Sequence, residues 1–202
     1  ELLGDHLKVV RVPDPFNFSH SCNAGVLKAS SSHVLLLNDD VEATGPEWLE
    51  AMCRRAALPG VGAVGARLLF PTGKIQHAGI VINPRSLEPN HLYMGHRPAD
   101  IADPVAHGTA SFLAVTGACL LVERDLYLHA GGLTEELPLN YNDVDFCLKL
   151  VAQGYTNLQC NDVSLIHRES TSRVPVLADF EARWMALWEP WIGLDPYVNV
   201  WL

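Results

Sequence analysis

Asn38-Asp39-Asp40 sets two carboxylates side by side directly after the apolar run His33 to Leu37. An uninterrupted run of that kind suits a central strand buried on both faces, and open α/β sheets bind ligands at the carboxyl ends of such strands. Carboxylate oxygens are hard donors that suit Mg2+ or Mn2+, ions able to bridge a diphosphate with few protein ligands. Asn and Asp are also ordinary turn formers, so the motif alone divides evenly between a metal site and an acidic turn. Asn142-Asp143-Val144-Asp145 places two more carboxylates in the first turn of a helix, with Asn142 as its cap. Carboxylates there satisfy free amides and the helix dipole. A carboxylate such as Asp143 could also take a proton from a hydroxyl, as a general base must. His167 closes the apolar stretch Val163 to Ile166, just before Arg168-Glu169-Ser170. A neutral imidazole would complete an Mn2+ site whose other ligands are oxygens, although a lone histidine at a strand end is more often a surface residue.

The elements that must position these groups alternate between strand and helix. Strands are expected at Leu7 to Val12, His33 to Leu37, Val61 to Phe70, Lys74 to Ile82, around Phe112 to Val122, and at Thr156 to Cys160 and Val163 to His167. Phe16 to Ser19 reads as loop and Asn23 to Ser30 as a short helix. Pro46 opens a second helix carrying Trp48, Leu49, Met52 and Ala56, and a short one ends at Gly131-Gly132. Asn142 to Gln153 repeats Val144, Cys147, Leu148 and Val151 on one face and closes at Gly154. A last helix over Val176 to Trp191 carries Phe180, Trp184, Leu187, Trp188 and Trp191 on one stripe. That stripe reads as core packing, with a membrane-facing patch as the minority alternative. Between Asn83 and Gly108 periodicity disappears, and a loop of that length in a compact domain is functional or mobile. The alternation predicts an α/β fold with a mostly parallel central sheet flanked by helices, in one domain.

Composition narrows the partners. At 49% hydrophobic and 18% charged residues the chain is globular, and a net charge of -9 with no basic cluster beyond Arg54-Arg55 argues against nucleic acid. Five cysteines form no Cys-x-x-Cys pair, which points to a reduced, cytoplasmic compartment. The longest apolar run, Ala110 to Val122, is interrupted by Ser111, Thr116 and Gly117 and is too short to span a bilayer.

Taken in order, the acidic motif after a buried strand, Thr116-Gly117-Ala118-Cys119, Asn142-Asp143-Val144-Asp145 and His167 resemble the family 2 glycosyltransferases of GT-A fold. Phe16-Asn17-Phe18-Ser19, Asn23-Ala24-Gly25, Ile75-Gln76-His77-Ala78-Gly79 and Asp195-Pro196-Tyr197 belong to the same resemblance, which runs from about Phe16 to the end of the chain. The resemblance implies a Rossmann-like GT-A domain over residues 1–202. Residues 1–45 would be the remainder of a nucleotide-binding half, and 46–202 the acceptor and catalytic half. Asn38-Asp39-Asp40 matches the Asp-x-Asp motif, with Asp40 on the metal, Asp39 near the ribose or the metal, and Asn38 standing where the family has an acid. Asp143 matches the base, and Asn142 replaces the usual Glu beside it. His167 matches a late metal-binding histidine, and Gly117 and Ala118 match a segment near the sugar and acceptor.

By the same resemblance the activity would be an inverting sugar transfer, with Mn2+ or Mg2+, from a nucleotide-diphosphate sugar to a glycan or lipid-linked hydroxyl. Its setting would be bacterial cell-surface polysaccharide assembly at or near the cytoplasmic membrane face. The resemblance also implies an excised start, lacking the first nucleotide-binding strand. A truncated, inactive GT-A module and a sugar-nucleotide nucleotidyltransferase are the alternatives, and the Gly-rich basic phosphate loop wanted by the latter is not visible. His77 is expected to be structural or to line the acceptor side, while His91, His96 and His107 receive no role.

Overall fold

The computed structural model describes residues 7–83, 88–168, 184, 186–188, 195 and 197. Helix α1 (Phe18–Lys28) leads into strand β1 (His33–Leu37), the short β2 (Val41–Ala43) and α2 (Trp48–Ala56). There follow β3 (Val61–Leu69), β4 (Ile75–His77), β5 (Ile80–Ile82), β6 (Pro89–His91), β7 (Thr109–Phe112) and β8 (Cys119–Glu123). The order closes with α3 (Arg124–His129), α4 (Asn142–Ala152) and β9 (Thr156–His167).

Among the described residues seven strands form the main sheet in the order β1-β8-β3-β9-β2, with β4 added to β3 and β7 to β9; β5 and β6 pair separately. The expected mostly parallel sheet is corrected to a mixed one. β3 and β9 run parallel, while β1–β8, β3–β8, β2–β9, β3–β4 and β7–β9 are antiparallel. Apolar runs such as His33 to Leu37 report burial on both faces, and helices cover both faces of this sheet whatever its strand directions. Along β8, Leu120 and Val122 enter one core with Val26, Tyr127, Phe146 and Leu148, while Cys119 and Leu121 enter the other with Met52. α1, α3 and α4 therefore pack on one face and α2 on the other.

Several element boundaries differ from expectation. Residues 7–13 form no strand despite their β-branched run. The first helix starts at Phe18 rather than Asn23, because the Asn17 side chain accepts the His20 N–H as its cap. The strand expected over Lys74 to Ile82 breaks at Gly79, whose φ of +114° and contact with the Phe112 ring exclude a side chain. The two strands expected after Gly154 are one strand with an irregular register against β3. In the aperiodic stretch lie β6 and two short 3-10 turns, Pro98–Asp100 and Pro104–Ala106. The C-terminal helix is described only at 184 and 186–188, and Trp191 lies outside the described residues, as do Phe180, Glu169, Ser170 and Pro196. Within that helix Trp184 is fully buried and stacks on Tyr141 at 5.1 Å between ring centroids.

Candidate active-site cleft

Three pairings bring distant residues to one place. The β1–β8 ladder matches Leu37 with Cys119, and the next residue continues it, Asn38 N–H donating to Ala118 O at 3.0 Å. The β2–β9 ladder matches Val41 with His167, and Arg168 N–H donates to Asp40 O at 3.0 Å. Asp143, on the first turn of α4, accepts from Gly117 N–H at 2.8 Å through Oδ2 and from Val144 N–H at 2.9 Å through Oδ1. The result is one cleft of about 860 Å³ whose wall includes Asn38, Asp40, Gly117, Ala118, Asp143 and His167. Asp39 does not line it. That side chain is exposed on the turn after β1.

Asp40 and His167 form the polar centre of the strand side. His167 Nε2 lies 3.0 Å from Asp40 Oδ1, both side chains being largely covered. Gln76 Oε1 sits 2.6 Å from the other ring nitrogen, Nδ1. An amide oxygen only accepts, so Nδ1 carries a proton and, in the neutral ring, Nε2 holds the lone pair. Asn38 Nδ2 lies 3.3 Å from the same Nε2.

A carboxylate oxygen and an imidazole nitrogen this close match two donors each about 2.1 Å from one octahedral ion, which stand about 3 Å apart. Among the described residues no group of three or more His, Cys, Asp or Glu is arranged to hold a metal. Asp40 and His167 are thus a two-donor set, suited to an ion that takes its remaining oxygens from phosphate and water.

The opposite wall belongs to the start of α4. Here the structure separates residues that the sequence put together. Asn142 is not a cap: it is 3% exposed and its amide donates inward to Ser19 Oγ and Leu137 O. The capping position falls on Tyr141, at φ +63° with no side-chain cap bond, a left-handed conformation rare for an aromatic residue. Asp145 is buried and committed to structure. It accepts from Thr134 Oγ1 at 2.6 Å, Lys149 Nζ at 2.9 Å and Trp188 Nε1 at 2.8 Å. Asp143 alone of the helix carboxylates faces the cleft. Each of its oxygens takes one N–H and retains a lone pair for a hydroxyl.

α1 buttresses this wall, which assigns structural work to two of the sequence motifs. Ser19 Oγ donates to Leu137 O at 2.7 Å, and Phe18 N–H to Pro138 O at 2.8 Å. Asn23 accepts from Tyr127 OH and Leu133 N–H through Oδ1 and donates to Leu133 O. Position 132 admits only glycine, because a Cβ there would meet Asn23 Oδ1 at 2.5 Å. Gly117 is less constrained: a Cβ there would lie 3.3 Å from Asp143 Cβ, a tight contact that presses directly on the carboxylate-bearing side chain.

Sequence reasoning missed four contributors: Gln76 on His167, His91 and Met94 on the cleft wall, and Tyr141. Gln76 lay inside the Ile75-Gln76-His77-Ala78-Gly79 motif, beside a histidine whose type signals chemistry more strongly. Tyr141 carried no signal, because nothing in an aromatic residue announces a left-handed backbone. His77 is 1% exposed and outside the main cleft. Asp195 accepts from Ile82 N–H at 3.2 Å, tying the C-terminal motif to β5.

No protein-family model matches the chain. The uncharacterized protein y4gI of Sinorhizobium fredii is 41% identical over 170 residues, covering 83% of this chain and 18% of that protein. The O-antigen biosynthesis protein RfbC of Myxococcus xanthus is 36% identical over 191 residues, covering 92% of this chain and 15% of that protein. The chain therefore spans less than a fifth of these curated relatives. Among solved structures, that of GalNAc-T7 with UDP, GalNAc and Mn2+ superposes at a TM-score of 0.69 and 12% identity, over 91% of this chain and 37% of that one. The two share a fold.

Proposed function

We propose that this chain is the sugar-transferring domain of a metal-dependent, inverting glycosyltransferase of GT-A fold and family 2 type, acting in the assembly of a bacterial cell-surface polysaccharide. The observation that carries the reading is the meeting of Asp40, His167 and Asp143 on one cleft large enough for a pyrophosphate and a sugar. The fold shared with GalNAc-T7, a protein solved with UDP, GalNAc and Mn2+, supports a nucleotide-diphosphate sugar as donor. The relative RfbC, an O-antigen biosynthesis protein, supports the polysaccharide setting, with a glycan or lipid-linked hydroxyl as acceptor. The five free thiols suit a reducing, cytoplasmic location.

Asp40 and His167 would hold a divalent ion, Mn2+ or Mg2+, and Asn38 would add a hydrogen bond without charge. When bound, the ion neutralises charge gathering on the leaving diphosphate. Asp143 accepts the proton of the acceptor hydroxyl. The oxygen bonds to the anomeric carbon from the face opposite the diphosphate, and the bond to the diphosphate oxygen breaks. The Gly117 and Val144 N–H groups hold the carboxylate in place while it does so. Gly117 and Ala118 form the floor beside the sugar.

Asp143→Asn removes the base and keeps the side-chain volume, although its NH2 must replace one of the two oxygens that now accept backbone N–H groups. Transfer measured with a panel of sugar nucleotides should fall by roughly a hundredfold to ten-thousandfold, with donor binding by calorimetry unchanged. Near-normal turnover in the variant would remove Asp143 from the role.

A further inference from the structure

Within the Phe16-Asn17-Phe18-Ser19 motif, every residue but the first has structural work. Asn17 caps α1, Phe18 packs against the core and donates its N–H to Pro138 O, and Ser19 is buried on Leu137 O. Phe16 is 65% exposed, and it lines the main cleft. Leu139 and Met94, also exposed, line the same cleft. Single exposed apolar residues are ordinary, but several around the mouth of one cleft mark a surface that a ligand covers. These side chains stand where an acceptor must enter. Asp40 and His167 belong to the strand wall and Asp143 to the helix wall, and the acceptor oxygen approaches from the face opposite the diphosphate. The acceptor therefore lies against the helix wall. The segment leading into α4 supplies Leu139, Asn140 and Tyr141 there, and the Phe18–Pro138 bond holds the Phe16 segment beside it. The Phe18 ring comes within 3.6 Å of where a Cβ on Gly117 would lie, next to the backbone N–H that Asp143 accepts.

Charge narrows the occupant. Among the described residues no Lys or Arg lines the cleft, and its acidic side chains are Asp40 and Asp143. A divalent ion answers Asp40, whereas an acidic acceptor would bring a second carboxylate up to Asp143 with no cation between them, a juxtaposition that costs affinity. An uncharged sugar suits both features of this wall. Its ring has a face of C–H groups that buries on an aromatic side chain, while its hydroxyls stay at the edge and can reach a base. We infer that Phe16 is an acceptor-binding residue, the platform for the apolar face of an uncharged sugar whose hydroxyl reaches Asp143. This assignment rests on the transferase reading and deepens it, narrowing the acceptor to a neutral glycan.

The test is saturation-transfer NMR with Mg2+ and UDP, GDP or dTDP, irradiating the protein's aromatic protons in the presence of methyl hexosides, methyl 6-deoxyhexosides or methyl glucuronide. At least one uncharged glycoside should receive saturation at its ring C–H protons. Phe16→Ala should weaken its binding about tenfold, the loss expected from uncovering part of an aromatic contact, and Phe16→Trp should retain it. Methyl glucuronide should bind at least about tenfold more weakly than its uncharged counterpart. Because Phe16 is exposed, the melting temperature of Phe16→Ala should match that of the unaltered protein. Saturation of no glycoside, a glucuronide bound as well as the neutral sugars, or binding indifferent to Phe16→Ala would overturn the assignment. Binding to phospholipid vesicles that is lost in Phe16→Ala, with glycoside binding unchanged, would give the ring to a lipid and overturn it too. If the unaltered protein binds no nucleoside diphosphate with Mn2+ or Mg2+ in calorimetry, the transferase reading fails and this assignment fails with it. Normal diphosphate binding with glycoside affinity unchanged in Phe16→Ala removes the Phe16 assignment alone.

Discussion

The two walls of the cleft are built by different means. On the strand side, Asp40 meets His167 because β2 pairs with the end of β9 in a fixed register, main chain to main chain. On the helix side, Asp143 is placed by side chains, with Asn23 and Ser19 of α1 gripping the segment that leads into α4. Register positions residues with little dependence on any one side chain. A buttress of side-chain hydrogen bonds depends on each of them. The strand wall should therefore tolerate substitutions around it, while the helix wall should fail through residues that never touch a ligand.

Asn23→Ala breaks the helix wall. It removes the acceptor that the Tyr127 hydroxyl and Leu133 N–H share, leaving Leu133 N–H only its 3.3 Å bond to Tyr127 OH, and should cost roughly 1–3 kcal/mol in urea unfolding. Transfer should be lost while Mn2+ binding survives, a split that would vanish if the two walls were one cooperative unit. Gln76→Leu attacks the strand wall through the partner of His167 Nδ1. Removing a group that orients a metal ligand costs about 10- to 100-fold in metal affinity, so Mn2+ titration should show that loss with the melting temperature nearly unchanged. Unaltered Mn2+ affinity would return Gln76 to a packing role.

The contrast between the walls parallels how legible each was in the sequence. Asp40 and His167 were visible because each directly follows or ends an apolar run, and strand ends are where sheets hold ligands. Asp143 was visible as a type in a helix start, but its separation from Asp145 was not. Two residue steps, about 200° around the helix, turn a carboxylate from cleft to core, and Thr134, Lys149 and Trp188 hold the inward one. The mixed sheet was illegible because apolar runs encode burial and not strand direction. The buried row Asn157, Gln159 and Asn161 on β9 was also missed. Alternating polar residues normally mark a wet face, whereas here every amide finds a partner within the fold.

Acid should reach the strand side through His77. Its folded value lies well below the ordinary 6.5. Above pH 6.5 the ring is neutral in both states and contributes nothing. Below it the unfolded chain binds a proton that the folded chain refuses, so stability falls as pH drops, by at most about 1.4 kcal/mol per unit for this group. Urea midpoints between about pH 7.5 and 5 should fall less steeply in His77→Gln than in the unaltered protein. Equal slopes would show that His77 carries none of the acid sensitivity.

The central claim is that the two walls enclose one site for a metal-bound diphosphate and its sugar. Calorimetry of UDP, GDP and dTDP with and without Mn2+ addresses it directly, in the unaltered protein and in Asp40→Ala, His167→Ala and Asp143→Asn. At least one diphosphate should bind only with the metal, lose that binding in the first two variants, and keep it in the third. Metal-independent binding, or binding indifferent to Asp40 and His167, would contradict the account.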